Sequence, residues 1–221
     1  MAGLAATVCL AGEWVPIPVH STRTGEAGGF EVGRCEVTVA EFVDFLNDSG
    51  TSTYPESAQI EPRRKGRYAA KAGVARQAVA EVTLLEAMAY GEWKSKKTGR
   101  TVRLPTPAEW EVAARGGVDG APFPWGWGGT ASEMAQFDAP GPADRGGRHP
   151  ANGFGLYDMA GNLYEWCASA PGSPAGQGLA RGGSWAERDT DVLQVEHRQP
   201  FDEAYRGRDV GFRVLRESKS D

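Results

Sequence analysis

Glycine and tryptophan occur together in this chain in numbers that few fold classes accommodate. The 221 residues include 30 Gly and 7 Trp. Glycine weakens helices and strands because it loses more backbone freedom on folding than any other residue. Large aromatic side chains can compensate by anchoring irregular loops to a core. The combination predicts a loop-rich fold and argues against a helical bundle, a coiled coil or a disordered tail.

Charge and length limit the partners and the location. The chain is long enough for one domain with its own core. The net charge of −5 and the isoelectric point near 5.4 argue against general nucleic-acid binding, which needs a basic face. Residues 1–12 contain no Lys or Arg and are too short for a signal peptide or a membrane span. We therefore expect a protein without a membrane span that is cytoplasmic, or displayed by a route that needs no signal.

Cysteine usage is sparse. The three cysteines, Cys9, Cys35 and Cys167, are far apart in the chain. This spacing fits neither a disulfide framework nor a zinc site. It allows one disulfide bond, but three reduced thiols are the simpler expectation.

Three helix starts are marked by the same device, a threonine followed three residues later by a glutamate. In such a capping box the hydroxyl accepts a first-turn amide and the carboxylate reaches back to the amide of the cap. The predicted caps are Thr38, Thr83 and Thr106. Apolar residues at helical spacing follow the caps, and in the second helix they are Leu85, Met88, Ala89 and Trp93.

Short strands are predicted at residues 13–17, 30–32, 101–104 and 210–214. Residues 116–161 are rich in Gly, Pro and Trp and too long for an ordinary loop, so we expect a functional or structured insertion there. Residues 61–76 carry six Lys or Arg against one Glu. We interpret them as a solvated basic loop, with a patch for an acidic partner as the alternative.

Several motifs, in order along the chain, resemble those of one family. In the C-terminal half they are RLPTPAEWEVAARGG at 103–117, PWG at 124–126, NGFGLYDMAGNLYEW at 152–166, RGGSW at 181–185 and GFRV at 211–214. CEVT at 35–38 and AMAYGEW at 87–93 fit the N-terminal half. As a set these motifs are specific, and the chain resembles the formylglycine-generating-enzyme, or sulfatase-modifying-factor, family over nearly its whole length.

The resemblance implies an α+β, C-type-lectin-like fold with a small twisted antiparallel sheet, two main helices and long irregular loops. It implies one domain at 14–215, an N-terminal extension at 1–13 and a tail at 216–221. Trp110, Trp125, Trp166 and Trp185 are expected to connect loops as scaffold residues, and each indole N–H needs an acceptor.

The chemistry of the family's best-known members is not expected here. Those enzymes oxidise a cysteine of their substrate with copper held by two cysteines shortly after the RGGS-aromatic motif. Residues 186–193 contain no cysteine, and a Cu(I) site needs soft thiolate ligands. We therefore expect no copper and no formylglycine-generating activity.

A second, iron-dependent branch of the family takes its histidine ligands largely from an additional domain. This chain has only His20, His149 and His197. An iron site is therefore not expected. A thiol-independent oxidoreductase or other modifying enzyme stays open as the alternative to a binding module.

A structural calcium site is implied by the same resemblance. Asp158 and Glu165 would supply carboxylate oxygens, and Gly161 and Leu163 would supply backbone carbonyls. Calcium takes about six to eight oxygen ligands, and a turn that contains glycine can direct carbonyls inward. The alternative is that both carboxylates accept hydrogen bonds from loop amides without a metal. The family's second calcium site is not expected, because residues 135–138 depart from its pattern.

The C-terminal segment 186–209 mixes scaffold-like and freely varying residue types. Leu193 and Arg198, with Trp185 and Phe212 at its borders, match the family pattern and are expected to be largely buried. The other residues resemble the variable region of diversity-generating-retroelement proteins, which are lectin-fold binders. The predicted contact residues are Glu187, Arg188, Asp189, Asp191, Gln199, Phe201, Asp202, Glu203, Tyr205, Arg206 and Arg208.

We expect these residues to lie mainly on one exposed face that binds a protein or another macromolecule without catalysis. Tyr and Arg side chains on a rigid platform make good contact residues. The alternative is a solvated surface with no binding role. The sequence does not define an oligomeric state.

Overall fold

Two four-stranded sheets and a separate hairpin organise the computed structural model, which describes residues 12–18, 29–51, 53–139, 147–169 and 174–218. In chain order the strands are β1 (Trp14–Ile17), β2 (Phe30–Gly33), β3 (Ile60–Arg63), β4 (Arg67–Ala70), β5 (Val102–Arg103), β6 (Tyr164–Cys167), β7 (Gln177–Arg181), β8 (Gln199–Asp202), β9 (Val210–Gly211) and β10 (Leu215–Glu217). The sheet orders are β1-β2-β10-β5 and β8-β7-β6-β9, and β3 pairs with β4. Among the named strands only β9 runs parallel to its neighbour. The predicted α+β fold with small antiparallel sheets is confirmed.

The helices are α1 (Val39–Asp48), α2 (Leu84–Thr98), α3 (Pro107–Arg115) and α4 (Ala131–Met134). Thr38, Thr83 and Thr106 each accept the backbone N–H of the glutamate three residues later. Each glutamate in turn accepts the backbone N–H of its threonine. The three predicted capping boxes are therefore confirmed. Left-handed Gly99 and Gly116 end α2 and α3.

The buried face of α2 differs from the prediction. Leu84, Ala87 and Tyr90 are buried, whereas Leu85 and Met88 are 59% and 41% exposed. The Tyr90 ring fixes the orientation, because it packs among aromatic rings of the main core at centroid distances of 5.3–6.3 Å. The prediction is therefore wrong for Leu85 and Met88, whereas Ala89 and Trp93 are half-buried and pack against the main core.

The prediction of a single strand over residues 210–214 is also wrong. The chain forms β9, leaves strand structure at residues 212–214 and then forms β10, which lies between β2 and β5. The break coincides with Arg213, whose buried side chain points inward to Glu165. Since β10 runs to Glu217, the sheet extends two residues beyond the predicted domain end.

The cysteines do not all carry free thiols. Cys35 is disulfide-bonded, and its partner lies outside the described residues. The expectation of three reduced thiols is therefore wrong, because distance along the chain does not limit which cysteines meet in space. Cys167 is a free thiol at the end of β6, and burial raises its pKa.

The longest described helix, α2, has 15 residues and carries several charges. A bilayer crossing needs about 20 mostly apolar residues. Within the described part of the chain, no helix has the length and apolar composition for such a crossing.

Candidate functional site

Two glycines determine where the C-terminal segment leaves the second sheet. Gly182 and Gly183 follow β7 with φ values of +94° and +72°, which residues other than glycine rarely adopt. A Cβ on Gly183 would lie 2.8 Å from Cδ2 of Leu193. The backbone N–H of Trp185 then donates to the carbonyl of Asn162 at 2.9 Å. The RGGSW motif thus fixes the start of segment 186–209 against the loop before β6.

The predicted contact residues are all accessible at least in part. Six are exposed: Arg188, Asp189, Asp191, Asp202, Tyr205 and Arg208. Five are half-buried: Glu187, Gln199, Phe201, Glu203 and Arg206. None lies in the core, as the sequence analysis expected. Their role in binding stays a prediction.

An aromatic stack connects the core to this surface. The rings of Phe201 and Tyr205 are parallel, with an interplanar angle of 1° and a centroid distance of 4.5 Å. Phe201 in turn meets the edge of the buried Trp166 ring at 5.8 Å and that of Tyr164 at 5.6 Å. Tyr205 is 37% exposed. It is therefore a surface ring held from below by core side chains.

Carboxylates flank this ring. The Tyr205 hydroxyl donates to Oδ1 of Asp209 at 3.3 Å, and the Tyr164 hydroxyl donates to Oε1 of Glu187 at 3.0 Å. Burial, together with the charge of Asp209, raises the pKa of Tyr205. Asp209 is not among the predicted contact residues, although it directly follows Arg208 in the chain.

The segment carries an excess of unpaired negative charge. Its three paired arginines all use acids outside the segment: Arg188 lies 3.4 Å from Asp138, Arg206 lies 2.6 Å from Glu86 and Arg208 lies 3.8 Å from Glu81. Six carboxylates of the segment have no ion pair with any residue that the structure describes: Glu187, Asp189, Asp191, Asp202, Glu203 and Asp209.

Arg206 is held more firmly than a free contact residue. One guanidinium nitrogen donates to the carbonyl of Glu81 at 2.6 Å, and another donates to Oε1 of Glu86 at 2.6 Å. The guanidinium also lies 5.0 Å above the Tyr54 ring. Arg206 thus ties the loop that carries Tyr205 to the start of α2.

Other predicted contact residues make local contacts. Asp189 accepts the N–H of Asp191 at 3.0 Å and starts the 3-10 turn Thr190–Leu193. Asp202 accepts the N–H of Ala204 at 2.8 Å. The side chain of Gln199 donates to the carbonyl of Pro200 at 3.2 Å. The aromatic stack and its carboxylates are therefore the part of the predicted set that the structure links into one cluster.

The predicted scaffold residues differ in how deeply they are buried. Leu193 and Phe212 are fully buried, as expected, and Trp185 is half-buried. Arg198 is exposed, so its predicted burial is wrong. The buried arginine of this region is Arg181, which donates to Glu111 at 3.0 Å and to the carbonyl of Val195. Both hydrogen bonds use Nη2, and Nε and Nη1 of Arg181 are buried without a hydrogen-bond partner among the described residues.

A cluster of buried charges lies beneath the loop at 158–165. Arg213 donates through Nε to Oε2 of Glu165 at 2.6 Å and through Nη2 to Oε1 at 2.5 Å. The indole of Trp110 donates to Oε2 of Glu165 at 2.6 Å, and Asp158 accepts the N–H of Gly147 at 2.8 Å. Asp158, Glu165 and Arg213 are all buried. Arg213 thus joins β6 to the chain between β9 and β10.

Glu36 adds a third carboxylate near this cluster. Its Oε1 accepts the side-chain N–H of Asn162 at 2.8 Å, and its buried Oε2 has no partner among the residues that the structure describes. Burial, reinforced by the charges of Asp158 and Glu165, raises the pKa of Glu36 well above its usual range. Three buried carboxyls therefore face a single guanidinium, and a proton or a cation must balance the remaining charge.

The donor set fits calcium in its charge and only in part in its geometry. Asp158, Gly161 and Leu163 lie before β6 and Glu165 lies within it, and the buried Oε2 of Glu36, which has no partner among the described residues, leaves a place for a proton or a cation. Both oxygens of Glu165, however, already accept hydrogen bonds from Arg213. Among the described residues, no three His, Cys, Asp or Glu side chains are arranged to hold a metal ion by themselves. A calcium ion here would depend on backbone carbonyls.

Comparison with known proteins places these features in a family. The family described as the sulfatase-modifying factor enzyme 1-like domain matches residues 12–218. The serine/threonine-protein kinase pkn1 of Chlamydia pneumoniae is 35% identical over 204 residues, which cover 81% of this chain and 32% of that protein. The chain thus spans about a third of the length of this relative.

Two further proteins bear on activity and fold. Inactive C-alpha-formylglycine-generating enzyme 2 of Mus musculus is 37% identical over 134 residues, which cover 54% of this chain and 41% of that protein. The structure of Treponema denticola variable protein 1 superimposes with a TM-score of 0.65 at 22% identity, covering 86% of this chain and 85% of that one. At this identity the second likeness supports the fold alone.

Proposed function

The chain belongs to the sulfatase-modifying factor enzyme 1-like family, and we propose that it is a non-catalytic ligand-binding module of that family. Its binding face is formed by segment 186–209. The observation that carries the proposal is the Phe201–Tyr205 stack, which presents an exposed ring on top of buried Trp166. Aromatic side chains held in this way dominate binding energy at many interfaces.

Preorganisation of the face supports this proposal. Arg206 clamps the loop around Tyr205 to the start of α2, and Gly182 and Gly183 fix the start of the segment. A surface that is already rigid loses less conformational entropy when it binds. The arrangement is therefore suited to recognition by exposed side chains on a fixed backbone.

The charge of the face indicates the kind of partner. Two of its six unpaired carboxylates, those of Asp209 and Glu187, lie near the exposed Tyr205 ring, so basic side chains of a protein partner are complementary to it. The same charge opposes nucleic-acid binding, because the phosphate backbone is negative. We therefore propose a protein or another non-nucleic-acid macromolecule as the ligand.

The thiols support the absence of copper chemistry. Residues 186–193 contain no cysteine, Cys35 is disulfide-bonded, and Cys167 is buried with a raised pKa. A Cu(I) site would need accessible thiolates, and burial disfavours the thiolate form. The mouse relative named as inactive agrees with this proposal.

The disulfide bond at Cys35 bears on location. Disulfides persist in oxidising environments and are rare in a reducing cytoplasm. We therefore propose that the protein works in an oxidising compartment or at a surface exposed to one.

We further propose that calcium stabilises the loop at 158–165. Asp158 and Glu165 would contribute carboxylate oxygens, Gly161 and Leu163 would contribute carbonyls, and the ion would balance the charge that the cluster with Glu36 leaves over. The ion's role would be structural, because the loop joins β6 to the turn that starts segment 186–209.

Calcium should raise the melting temperature of the wild-type protein. A ligand at about a hundred times its Kd stabilises the folded state by about 2.7 kcal/mol, which corresponds to about 5–10 °C for a domain of this size. Asp158→Ala should abolish the rise, whereas the exposed Asp119→Asn should leave it intact. Differential scanning calorimetry with EDTA and with excess calcium measures both. An identical melting curve in EDTA and in calcium would rule out the site.

Simultaneous replacement of the exposed contact residues tests whether the face can be separated from the scaffold. The residues to randomise together are Arg188, Asp189, Asp191, Asp202, Tyr205 and Arg208. Exposed substitutions usually change stability by about 0.5 kcal/mol or less, so we expect most of a panel of variants to melt cooperatively. The matched control randomises the buried Leu193, Val195 and Phe212, and should abolish folding. If most face variants fail to fold, the segment is scaffold.

A further inference from the structure

A hairpin outside the proposed binding face carries the densest positive charge that the structure describes. Strands β3 and β4 are joined by the tip Arg64–Gly66, and Arg63 and Arg67 flank that tip. All four basic residues of this tip are exposed. Arg63 pairs with Glu61 at 2.5 Å, whereas Arg64, Lys65 and Arg67 have no ion pair with any residue in the described ranges. We name these four residues the basic tip.

Two features of the basic tip, a left-handed lysine and a cross-strand pair of arginines, do not favour folding. Lys65 has φ +62° and ψ +34°, a left-handed conformation that glycine or asparagine adopts at lower cost. Arg63 is the direct cross-strand partner of Arg67, and like charges in that position repel. Local conflicts of this kind are expected where a surface serves a function beyond folding.

The root of the hairpin is firmly held. The side chain of Asn47 accepts the N–H of Tyr68 at 2.9 Å and donates to its carbonyl at 3.1 Å. The Tyr68 hydroxyl accepts the N–H of Tyr54 at 2.9 Å, and Ile60 and Tyr68 are buried. The basic tip is therefore carried on a fixed base rather than on a freely moving loop.

We propose that the basic tip docks an acidic segment of a protein partner. Residues 61–76 carry six cations against one carboxylate in a chain whose net charge is −5, so the rest of the molecule is strongly acidic. Arginine guanidinium groups bind carboxylates through paired hydrogen bonds, and three of the four basic residues of the tip are arginines. This surface is separate from segment 186–209 and does not depend on the function proposed for that segment.

The small size of the basic tip and the acidic charge of the rest of the protein favour a short acidic peptide segment over a nucleic acid or an anionic membrane. A nucleic acid carries charge along its whole length, so a strand that overran the tip would meet the acidic remainder of the protein. An anionic membrane would also be repelled by that remainder, and the basic tip presents no exposed apolar or aromatic side chain for insertion. A compact cluster of Asp or Glu meets neither obstacle.

Fluorescence anisotropy with a labelled glutamate–serine repeat peptide tests the proposal on the full chain. At low salt the wild-type protein should bind the peptide, and Arg64→Gln with Lys65→Gln should weaken binding by about tenfold or more. The matched control, Lys96→Gln with Lys97→Gln, removes two exposed cations of α2 and should leave binding within about twofold of wild type. Thermal melting of both variants should match or exceed that of wild type, since only exposed charges are changed.

Several outcomes would overturn the proposal. The proposal is wrong if the peptide does not bind the wild-type protein at low salt, or if both double variants lose the same amount of affinity for it. Tighter tip-dependent binding of a single-stranded oligonucleotide of the same charge, or of phosphatidylserine-rich vesicles, would assign the tip to a different partner class. A change in sedimentation of the protein alone in the tip variant would show that the tip contacts a second copy of the chain instead.

Discussion

Glu165→Ala is expected to destabilise the protein by about 3–5 kcal/mol, the typical cost of removing one partner of a buried ion pair. Glu165 and Arg213 are both buried, and two hydrogen bonds of 2.5–2.6 Å join them. Without the carboxylate, Arg213 would lose its side-chain acceptor and keep only backbone carbonyls as hydrogen-bond acceptors, and the indole of Trp110 would lose its acceptor. The loss of packing at β6 would add to this cost.

Urea unfolding in EDTA measures the effect without any contribution from calcium. The double variant Glu165→Ala with Arg213→Ala should cost less than the sum of the two single variants, because either single variant already removes the hydrogen bonds between the two side chains. Asp48→Ala, which removes an exposed partner of Lys97, should give an unfolding curve indistinguishable from that of wild type. If Glu165→Ala were as harmless as Asp48→Ala, the buried pair would not organise the domain.

Local signals in the sequence determine the starts of the helices. Each capping box at Thr38, Thr83 and Thr106 involves only residues within one turn, so it can be recognised without knowledge of the fold. The ends of α2 and α3 at Gly99 and Gly116 are equally local, since a left-handed residue is needed there. These parts of the fold could be predicted residue by residue.

Contacts between distant segments explain what could not be predicted. The buried side of α2 depends on the packing of Tyr90 against Phe42 and Phe212, which α1 and the C-terminal end supply. The family resemblance indicated a buried arginine near Leu193, but the partner Glu111 selects Arg181 over Arg198. Periodicity and motif order carry no information about such partners.

The candidate site shows the same division. The RGGSW motif and the altered segment after it indicated residues that are exposed or half-buried, although Arg198 was wrongly assigned to the core. The clamp on Arg206 was not visible, because its partners Glu81 and Glu86 lie 125 and 120 residues away in the chain. Asp209 was missed because its role depends on the position of the Tyr205 hydroxyl. Exposure was predictable from the sequence, whereas the grouping into one cluster was not.

Tyr205→Ala is expected to weaken ligand binding by about 30-fold, since truncation of a central aromatic contact typically costs about 2 kcal/mol or more. The ring is exposed on one side, stacked on Phe201 on the other, and flanked by the carboxylates of Asp209 and Glu187. Tyr205→Phe should retain most of the affinity, because it keeps the stack and loses only the 3.3 Å hydrogen bond to Asp209. Trp127→Ala removes an aromatic ring that is 74% exposed and lies outside segment 186–209.

The most direct test of a binding face at segment 186–209 is the affinity of peptides selected on the wild-type protein from a random phage-displayed library. Biolayer interferometry then compares wild type, Tyr205→Ala and Trp127→Ala, after thermal melting has shown that each is folded. The account predicts selected peptides that lose about 30-fold in affinity on Tyr205→Ala and little on Trp127→Ala. Failure to select any peptide, or selected peptides that bind Tyr205→Ala as tightly as wild type, would contradict it.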